Sequence, residues 1–331
     1  MVLTFVEICY IIYEINMNGL CDMTDAKNSK LGIFGRRMYE TRYLHLLALP
    51  GLVYLAIFAY GPMYGVLMAF QNFRSRLGIW GSEWVGFDNF IRFFEHPHFW
   101  RLIQNTVIIN VYQILFVFPI PIIFALLLNE LRGRYFKRTV QTVSYLPNFI
   151  SMPAIIGMMV MFLSPTDGFI NQIVYFFTGN TVHFMAQPEW FRSLYIMSEI
   201  WTTMGWSAII YIAALSGVNP ELYESAVIDG ARRTQMMRHI SVPSIAPTII
   251  ILLLLNIGTL MNLGHEKVLL MQNPLTFSTS DVISTFVFRM GLEMLDYSFA
   301  TAVSVFNSVI NIGILVIANT IARKVSDTSL W

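Results

Sequence analysis

Residues 219–243 combine carboxylates, a glycine and a proline at fixed spacing between two apolar stretches. Asn219 is followed by proline, Glu224 lies one turn further on, and Gly230 comes six residues later. Asparagine caps helix starts, proline suits the first helical position, and glycine ends helices in the left-handed conformation. The pattern predicts a short helix, a tight turn and a second short helix, with the next apolar stretch opening at Pro243. Leu222, Ala226 and Val227 fall on one face of the first helix at 3.6-residue spacing, so the pattern predicts a small amphipathic unit.

Glu199 is the second residue whose position suggests chemistry, because it is an ionisable acid inside an otherwise apolar run with Trp201 nearby. Such a residue costs about 2.5–3.5 kcal/mol on membrane-insertion scales and is a functional candidate by default. Glu199 also lies only about a turn and a half from the predicted outer end of its run. The sequence leaves open a role in a pathway or substrate site and an interfacial or structural role.

The composition identifies the environment of these residues. Of the 331 residues, 56% are hydrophobic and only 12% are charged, whereas a soluble chain has about 25% charged residues. The chain is therefore a membrane protein. A formal net charge of +1 gives no support for a nucleic-acid partner. Its two cysteines, Cys9 and Cys21, form neither a disulfide framework nor a metal-binding spacing.

Apolar runs of about 20 residues can cross a hydrocarbon core as helices. Six such runs are present, at residues 46–70, 102–129, 139–163, 194–215, 245–261 and 297–322. Several contain prolines, which a helix bundle tolerates because neighbouring groups satisfy the freed carbonyls. We therefore predict an all-α integral membrane protein with six transmembrane helices, whose transmembrane domain covers residues 43–323.

The basic residues set the orientation of these helices. Fourteen of the 21 Lys and Arg residues lie before the first run, in the second and fourth loops and in the tail, and seven lie in the odd loops. Because Lys and Arg accumulate on the cytoplasmic side, both termini should be cytoplasmic. Residues 1–42 and 324–331 are then cytoplasmic segments, and residues 217–243 form a cytoplasmic loop.

The pattern in this loop resembles the EAA signature of ATP-binding-cassette importer permeases. Glu224-Ser-Ala226 is followed by Asp229-Gly-Ala231, and nine residues separate Gly230 from Ile240, which is followed by Pro243; Ser225 and Val242 are mild departures. The resemblance implies a type I importer fold of the MetI-like class. It also implies that residues 217–243, called the coupling segment below, dock on a separate cytoplasmic ATPase. The residues to which this role transfers are Glu224, Ala226, Asp229, Gly230, Ala231, Ile240 and Pro243.

Residues 84–90 resemble the outer-loop element of the MalF-type carbohydrate permeases, and residues 281–289, 297–303 and 323–331 resemble the LplB-like branch of that family. For this family, the resemblance implies a bacterial plasma-membrane importer of oligosaccharides delivered by an extracytoplasmic binding protein. A second, homologous permease would complete the pathway above an ATPase dimer. This chain would be non-catalytic and would bind no cofactor, with ATP–Mg held by the ATPase.

A sugar leaving water needs hydrogen-bonding partners along its pathway. Polar residues in the predicted spans form three candidate groups, namely Asn110 and Gln113, Asn256 and Asn262, and Asn307 and Asn311, with Glu199 and Trp201 as further candidates. The second pair shares a face only if its helix unwinds near Gly258. For each residue, the alternative is a hydrogen bond between helices.

Other activities find little support in the sequence. None of the five lysines follows a glycine, so the chain contains no Gly-Lys-Ser/Thr phosphate-binding loop. His96 and His98 have no third ligand nearby, which favours a solvated loop over a metal site. Two other functions stay open at this stage: import of a non-sugar solute such as an amino acid or peptide, and a non-transporting membrane scaffold or sensor.

Overall fold

The structure is a computed structural model that describes residues 41–131, 133–259, 261 and 263–325. Most of the cytoplasmic segments predicted at residues 1–42 and 324–331 lies outside the described residues, namely residues 1–40 and 326–331, as does Asn262. The chain divides into two compact units, Met1–Tyr64 and Gly65–Trp331.

The described part of the first unit is helical. Helix α1 (Arg42–Leu55) continues through a π-helical turn (Ala56–Tyr60) into α2 (Gly61–Met63). Pro50 lies inside α1. The candidate membrane span in this region covers His45–Phe70, which agrees with the predicted first span.

The second unit begins with a small hairpin. Its elements are a 3₁₀ helix (Tyr64–Phe70), β1 (Gln71–Asn72), α3 (Gly78–Gly81), β2 (Glu83–Trp84) and α4 (Asp88–Phe94). The strands pair antiparallel, with Gln71 opposite Trp84. Phe70 stacks on Trp84 at 5.7 Å between ring centroids, and the Asn89 side-chain amide donates to the carbonyl of Gln71. The 84–90 motif thus closes this hairpin.

The next helices form the second and third spans. They are α5 (Phe99–Tyr112), a π turn (Gln113–Val117), α6 (Pro119–Glu130), α7 (Arg134–Tyr145), a 3₁₀ turn (Leu146–Phe149) and α8 (Met152–Phe162). The span predicted over residues 139–163 is bent, because Arg134–Phe149 and Met152–Phe162 meet at an angle of 100°. Pro147 and Pro153 flank the bend, and each lacks the amide hydrogen that a continuing helix needs.

The fourth span is longer than predicted. Helix α9 (Phe169–Thr178) precedes α10 (Pro188–Ser216), which is followed by α11 (Pro220–Ile228) at an angle of 71°. Because α10 begins at Pro188, Glu199 lies about three turns inside it, deeper than the sequence suggested.

The remaining elements complete the bundle. They are α12 (Arg233–Met236), a π turn (Met237–Ser241), α13 (Val242–Gly258), α14 (His265–Met271), a 3₁₀ turn (Pro274–Thr276), α15 (Phe277–Ser280), α16 (Ile283–Phe288), a π turn (Arg289–Glu293) and α17 (Tyr297–Val325). Pro243 lies at the start of α13, as the sequence predicts, and the preceding short helix and π turn continue into it, so that Arg233–Gly258 runs as one helix of 26 residues. Pro243 is tolerated there because a π turn precedes it.

The number of candidate membrane spans in the structure agrees with the six predicted from the sequence. In the described ranges, four helices are long and apolar enough to cross a membrane, and each bent pair can supply one more, which gives six. The described residues of the second unit form three buried clusters, which contain Tyr195, Phe286 and Ala208 respectively. Helix α10 also packs against α6 and α7. Gly205 permits one of these contacts, since a Cβ atom there would overlap the backbone carbonyl of Ser144 in α7. A close approach of two helices therefore depends on this glycine.

Candidate functional site

A cavity of about 740 Å³ lies among α5, α8, α10, α13 and α14. Its wall alternates apolar surface with groups that hydrogen-bond. The polar and aromatic lining residues are Asn110, Gln113, Phe118, Tyr195, Glu199, Thr203, Trp206, Ser207, Tyr211, Asn256, Thr259, Glu266 and Lys267. This is the combination that a site for a polar organic ligand requires.

Glu199 forms an ion pair at this cavity. Its Oε2 atom lies 2.5 Å from Nζ of Lys267 in α14, and Lys267 also donates to the backbone carbonyl of Tyr195 at 3.1 Å. The Glu199 side chain is 22% exposed and that of Lys267 only 4%. The carboxylate therefore lines the cavity and at the same time fixes α14 to α10.

Three amides singled out from the sequence also line the cavity. Asn110 is buried and donates to the carbonyl of Thr106 in its own helix, and Gln113 donates to the hydroxyl of Tyr195 at 3.4 Å. Asn256 is exposed and donates to the carbonyl of Leu252. The structure therefore brings together side chains from two of the three predicted groups.

Asn307 and Asn311 do not line the cavity. Both are buried and face the chain just after α13, where Asn307 donates to the carbonyl of Met261 at 3.2 Å and Asn311 accepts from its amide at 2.8 Å. These hydrogen bonds join α17 to the chain just after α13. They correspond to the alternative considered above, in which the polar residue holds two parts of the bundle together. Helix α13 ends at Gly258, so the unwinding considered for Asn256 and Asn262 occurs.

Trp201 also lies outside the lining, whereas Trp206 lines the cavity and packs edge-on against Phe149. Lys267 was missed because it was counted as an ordinary basic residue of an outer loop. The apolar run that follows it, residues 268–271, was the available signal that this lysine is buried.

The coupling segment has the predicted local geometry. Oδ1 of Asn219 accepts from the amide of Glu221 and caps α11, and Gly230 adopts φ +79° at the turn. Glu224 and Asp229 are exposed. Ile228, at the end of α11, is 86% exposed, so this short helix presents apolar and acidic side chains together.

Met237 and Val242 pack against the buried cluster that contains Ala208 and Ile245, and so fasten the coupling segment to the bundle. Two further contacts lie within the segment itself. The hydroxyl of Tyr223 lies 3.0 Å from Oγ of Ser241, and the amide of Ala231 donates to the carbonyl of Ala226. Ala226, Ala231 and Ile240 are half-buried, and Pro243 is exposed. The segment is thus held by one face and open on the other.

At the opposite end of α10 lies a network of charges. Asp281 is fully buried, and its carboxylate accepts from Arg289 at 2.9 Å and from Arg101 at 3.1 Å. Arg192 donates to Oδ1 of Asn105, whose amide donates to the backbone carbonyl of Asp281. The 281–289 motif therefore closes on itself and connects α5, α10 and α16.

His96 and His98 lie near this network. The backbone amide of His98 donates to Nδ1 of His96, and the His96 ring packs edge-on against Phe286. Burial lowers the pKa of His96, and the nearby charges of His98 and Arg92 lower it further. Within the described ranges, no three His, Cys, Asp or Glu residues lie together as a metal ion would require.

The geometry agrees with what the chain resembles among known proteins. A family model described as "Binding-protein-dependent transport system inner membrane component" matches residues 117–327. This range includes the coupling segment and most of the residues that line the cavity.

Two relatives from Bacillus subtilis (strain 168) match almost the full length. Protein LplB is 44% identical over 88% of this chain and 91% of its own, and YteP, a polygalacturonan/rhamnogalacturonan transport system permease protein, is 40% identical over 89% and 92%. A crystallised bacterial alginate ABC transporter, in complex with an alginate pentasaccharide-bound periplasmic protein, contains a chain 39% identical to this one. It superposes with a TM-score of 0.82 over 89% of this chain and 98% of that one. This chain therefore belongs to the family of binding-protein-dependent transport system inner membrane components.

Proposed function

We propose that this chain is the permease subunit of a bacterial ATP-binding-cassette importer for oligosaccharides. It forms one part of the translocation pathway, and a second, homologous permease forms the rest. An extracytoplasmic binding protein delivers the sugar, and a separate ATPase dimer supplies the energy through the coupling segment. The names of YteP and of the alginate transporter support the sugar class.

The observation that carries this proposal is the arrangement along α10. The cavity lies along this helix, with Glu199 in its wall. Helix α11 follows the C-terminal end of α10, at Ser216. Rigid-body rocking of helices is the usual way in which such pathways open and close. A push on α11 therefore reaches the cavity through one uninterrupted helix.

The coupling segment supports a docked ATPase for a second reason. Its exposed face carries Glu224 and Asp229 beside bare apolar side chains, a combination that suits a basic-rimmed groove on a partner. Without a partner, Ile228 would stay in contact with water at an unfavourable cost.

The charge reversal Glu224→Lys tests the proposal. In vesicles that contain the complete importer, we expect this variant to insert normally and to lose more than about tenfold of ATP-driven uptake, because like charges would meet in the groove. Glu293→Lys, an exposed acid far along the chain from the coupling segment, is the matched control and should transport normally.

The supplied mixture should contain labelled oligosaccharides, amino acids and short peptides. Uptake of peptides or amino acids without oligosaccharides would replace the proposed cargo. Normal uptake by Glu224→Lys would remove Glu224 from the coupling role. A chain that purifies without any ATPase would instead be a scaffold or sensor.

A further inference from the structure

The charges around the cavity bear on the class of sugar that passes through it. Among the described residues, three charged side chains line the cavity: Glu199, Glu266 and Lys267. Two carboxylates against one ammonium leave one negative charge in excess. Building on the function proposed above, we infer that this chain's part of the pathway selects neutral oligosaccharides over those that contain uronates.

Lys267 cannot offer its charge to a ligand. Its side chain is 4% exposed, and its ammonium donates to Oε2 of Glu199 and to the carbonyl of Tyr195. The ring of Tyr195 lies 4.4 Å from Nζ and covers a further side. An ammonium has three donors in total. The cation is therefore already occupied by the protein.

The carboxylates, by contrast, face the cavity. Glu199 keeps 22% of its side chain exposed beside Lys267. Glu266 is exposed in the first turn of α14, and no ion pair in the described part of the chain involves it. Carboxylate oxygens accept hydrogen bonds only, and they bind hydroxyl donors strongly.

The remaining polar wall is neutral. Amides of Asn110, Gln113 and Asn256 and hydroxyls such as that of Thr203 both donate and accept. A neutral sugar offers hydroxyl groups that satisfy these partners and the carboxylates together. A uronate brings its own negative charge toward Glu266, and the described lining residues offer it no available cation. A pore wall of low dielectric makes that repulsion strong.

This charge pattern differs from what the names of two relatives suggest. YteP is named for polygalacturonan and rhamnogalacturonan, and the crystallised transporter for alginate, all of which contain uronates. A shared fold leaves cargo free to change, because cargo is chosen by a few side chains that line the path.

Cells that carry the complete importer provide the test. They receive equal amounts of neutral oligosaccharides from hemicellulose hydrolysis and uronate oligosaccharides from pectin and alginate hydrolysis, and accumulated sugars are measured by mass spectrometry. We expect neutral sugars to predominate over uronates. Glu266→Gln should lower the neutral-to-uronate ratio by about threefold, and Glu266→Lys by about tenfold.

Every strain uses the same binding protein. A difference in the neutral-to-uronate ratio between strains is therefore caused by the substitution in this chain. Glu293→Gln removes an exposed charge outside the cavity and should leave the ratio unchanged. A preference of the unmodified importer for uronates would overturn the inference, and so would an unaltered ratio in both Glu266 variants. Accumulation of neither class above the level of a strain lacking the importer would overturn the proposed sugar import itself, and the inference with it.

Discussion

Glu199 and Lys267 are 68 residues apart in the chain, yet their charged atoms lie 2.5 Å apart at the wall of the cavity. The pair joins the long helix α10 to α14, a short helix in the connection between the fifth and sixth spans. The pair therefore fixes the position of α14, which is not one of the membrane-spanning helices.

Removing one member of this pair should destabilise the protein. For Lys267→Met we expect a loss of about 2 kcal/mol, below the ~3–5 kcal/mol of a fully buried pair because Glu199 is partly exposed. The double variant Glu199→Gln/Lys267→Met should recover most of this loss. Thermal unfolding of the purified importer in detergent measures both, with Lys324→Met as an exposed control. A strictly additive double variant would show that the pair contributes nothing.

Asn256 should affect transport without affecting assembly. Asn256→Leu removes an exposed amide from the cavity wall, so a passing sugar loses a hydrogen-bonding partner. We expect uptake to fall severalfold while the ATPase still purifies with the permease, and Asn256→Gln to restore part of the uptake. Unchanged transport kinetics in the leucine variant would remove Asn256 from the pathway.

Gly230 should matter because of its backbone conformation. Its φ of +79° costs a residue with a side chain about 1–2 kcal/mol. Gly230→Ala should therefore loosen the turn after α11 and reduce ATP-driven uptake, and Gly230→Asn should do so less. Gly133→Ala is the matched control, since Gly133 has a φ of −77°. Equal uptake by the two alanine variants would show that the turn is not needed for coupling.

Asp281 should be the most sensitive carboxylate at the other end of the bundle. Asp281→Asn leaves Arg101 and Arg289 without their buried counter-charge, and we expect a loss of about 3–5 kcal/mol. Asp296→Asn breaks the more exposed pair with Arg92 and should cost less than about 1 kcal/mol. Melting temperatures compare the two, and a similar small shift for both would contradict the importance of the network.

Features that depend on local sequence were predictable. The Asn219 cap, the left-handed Gly230 and the spans themselves follow from residues that are close together in the chain, where propensity and hydropathy act directly. Local sequence did not predict the effect of each proline, because a proline can either lie at a bend or be accommodated within a continuous helix. Pro147 and Pro153 flank a bend of 100°, whereas Pro243 lies within one continuous helix.

The cavity was only partly predictable, because its wall comes from distant segments. Spacing placed Asn307 and Asn311 on one face of α17, but it could not show that this face meets Met261 rather than the cavity. The role of Lys267 depends on Glu199 in another helix. No window of sequence around either residue contains that contact.

The contact at Gly205 links the residue type at this position to the distance between α10 and α7. Only a hydrogen fits between α10 and the carbonyl of Ser144, so a relative with any larger residue at the aligned position must hold its α7 farther out. A single letter in an alignment would then report, without a structure, how closely these two helices pack.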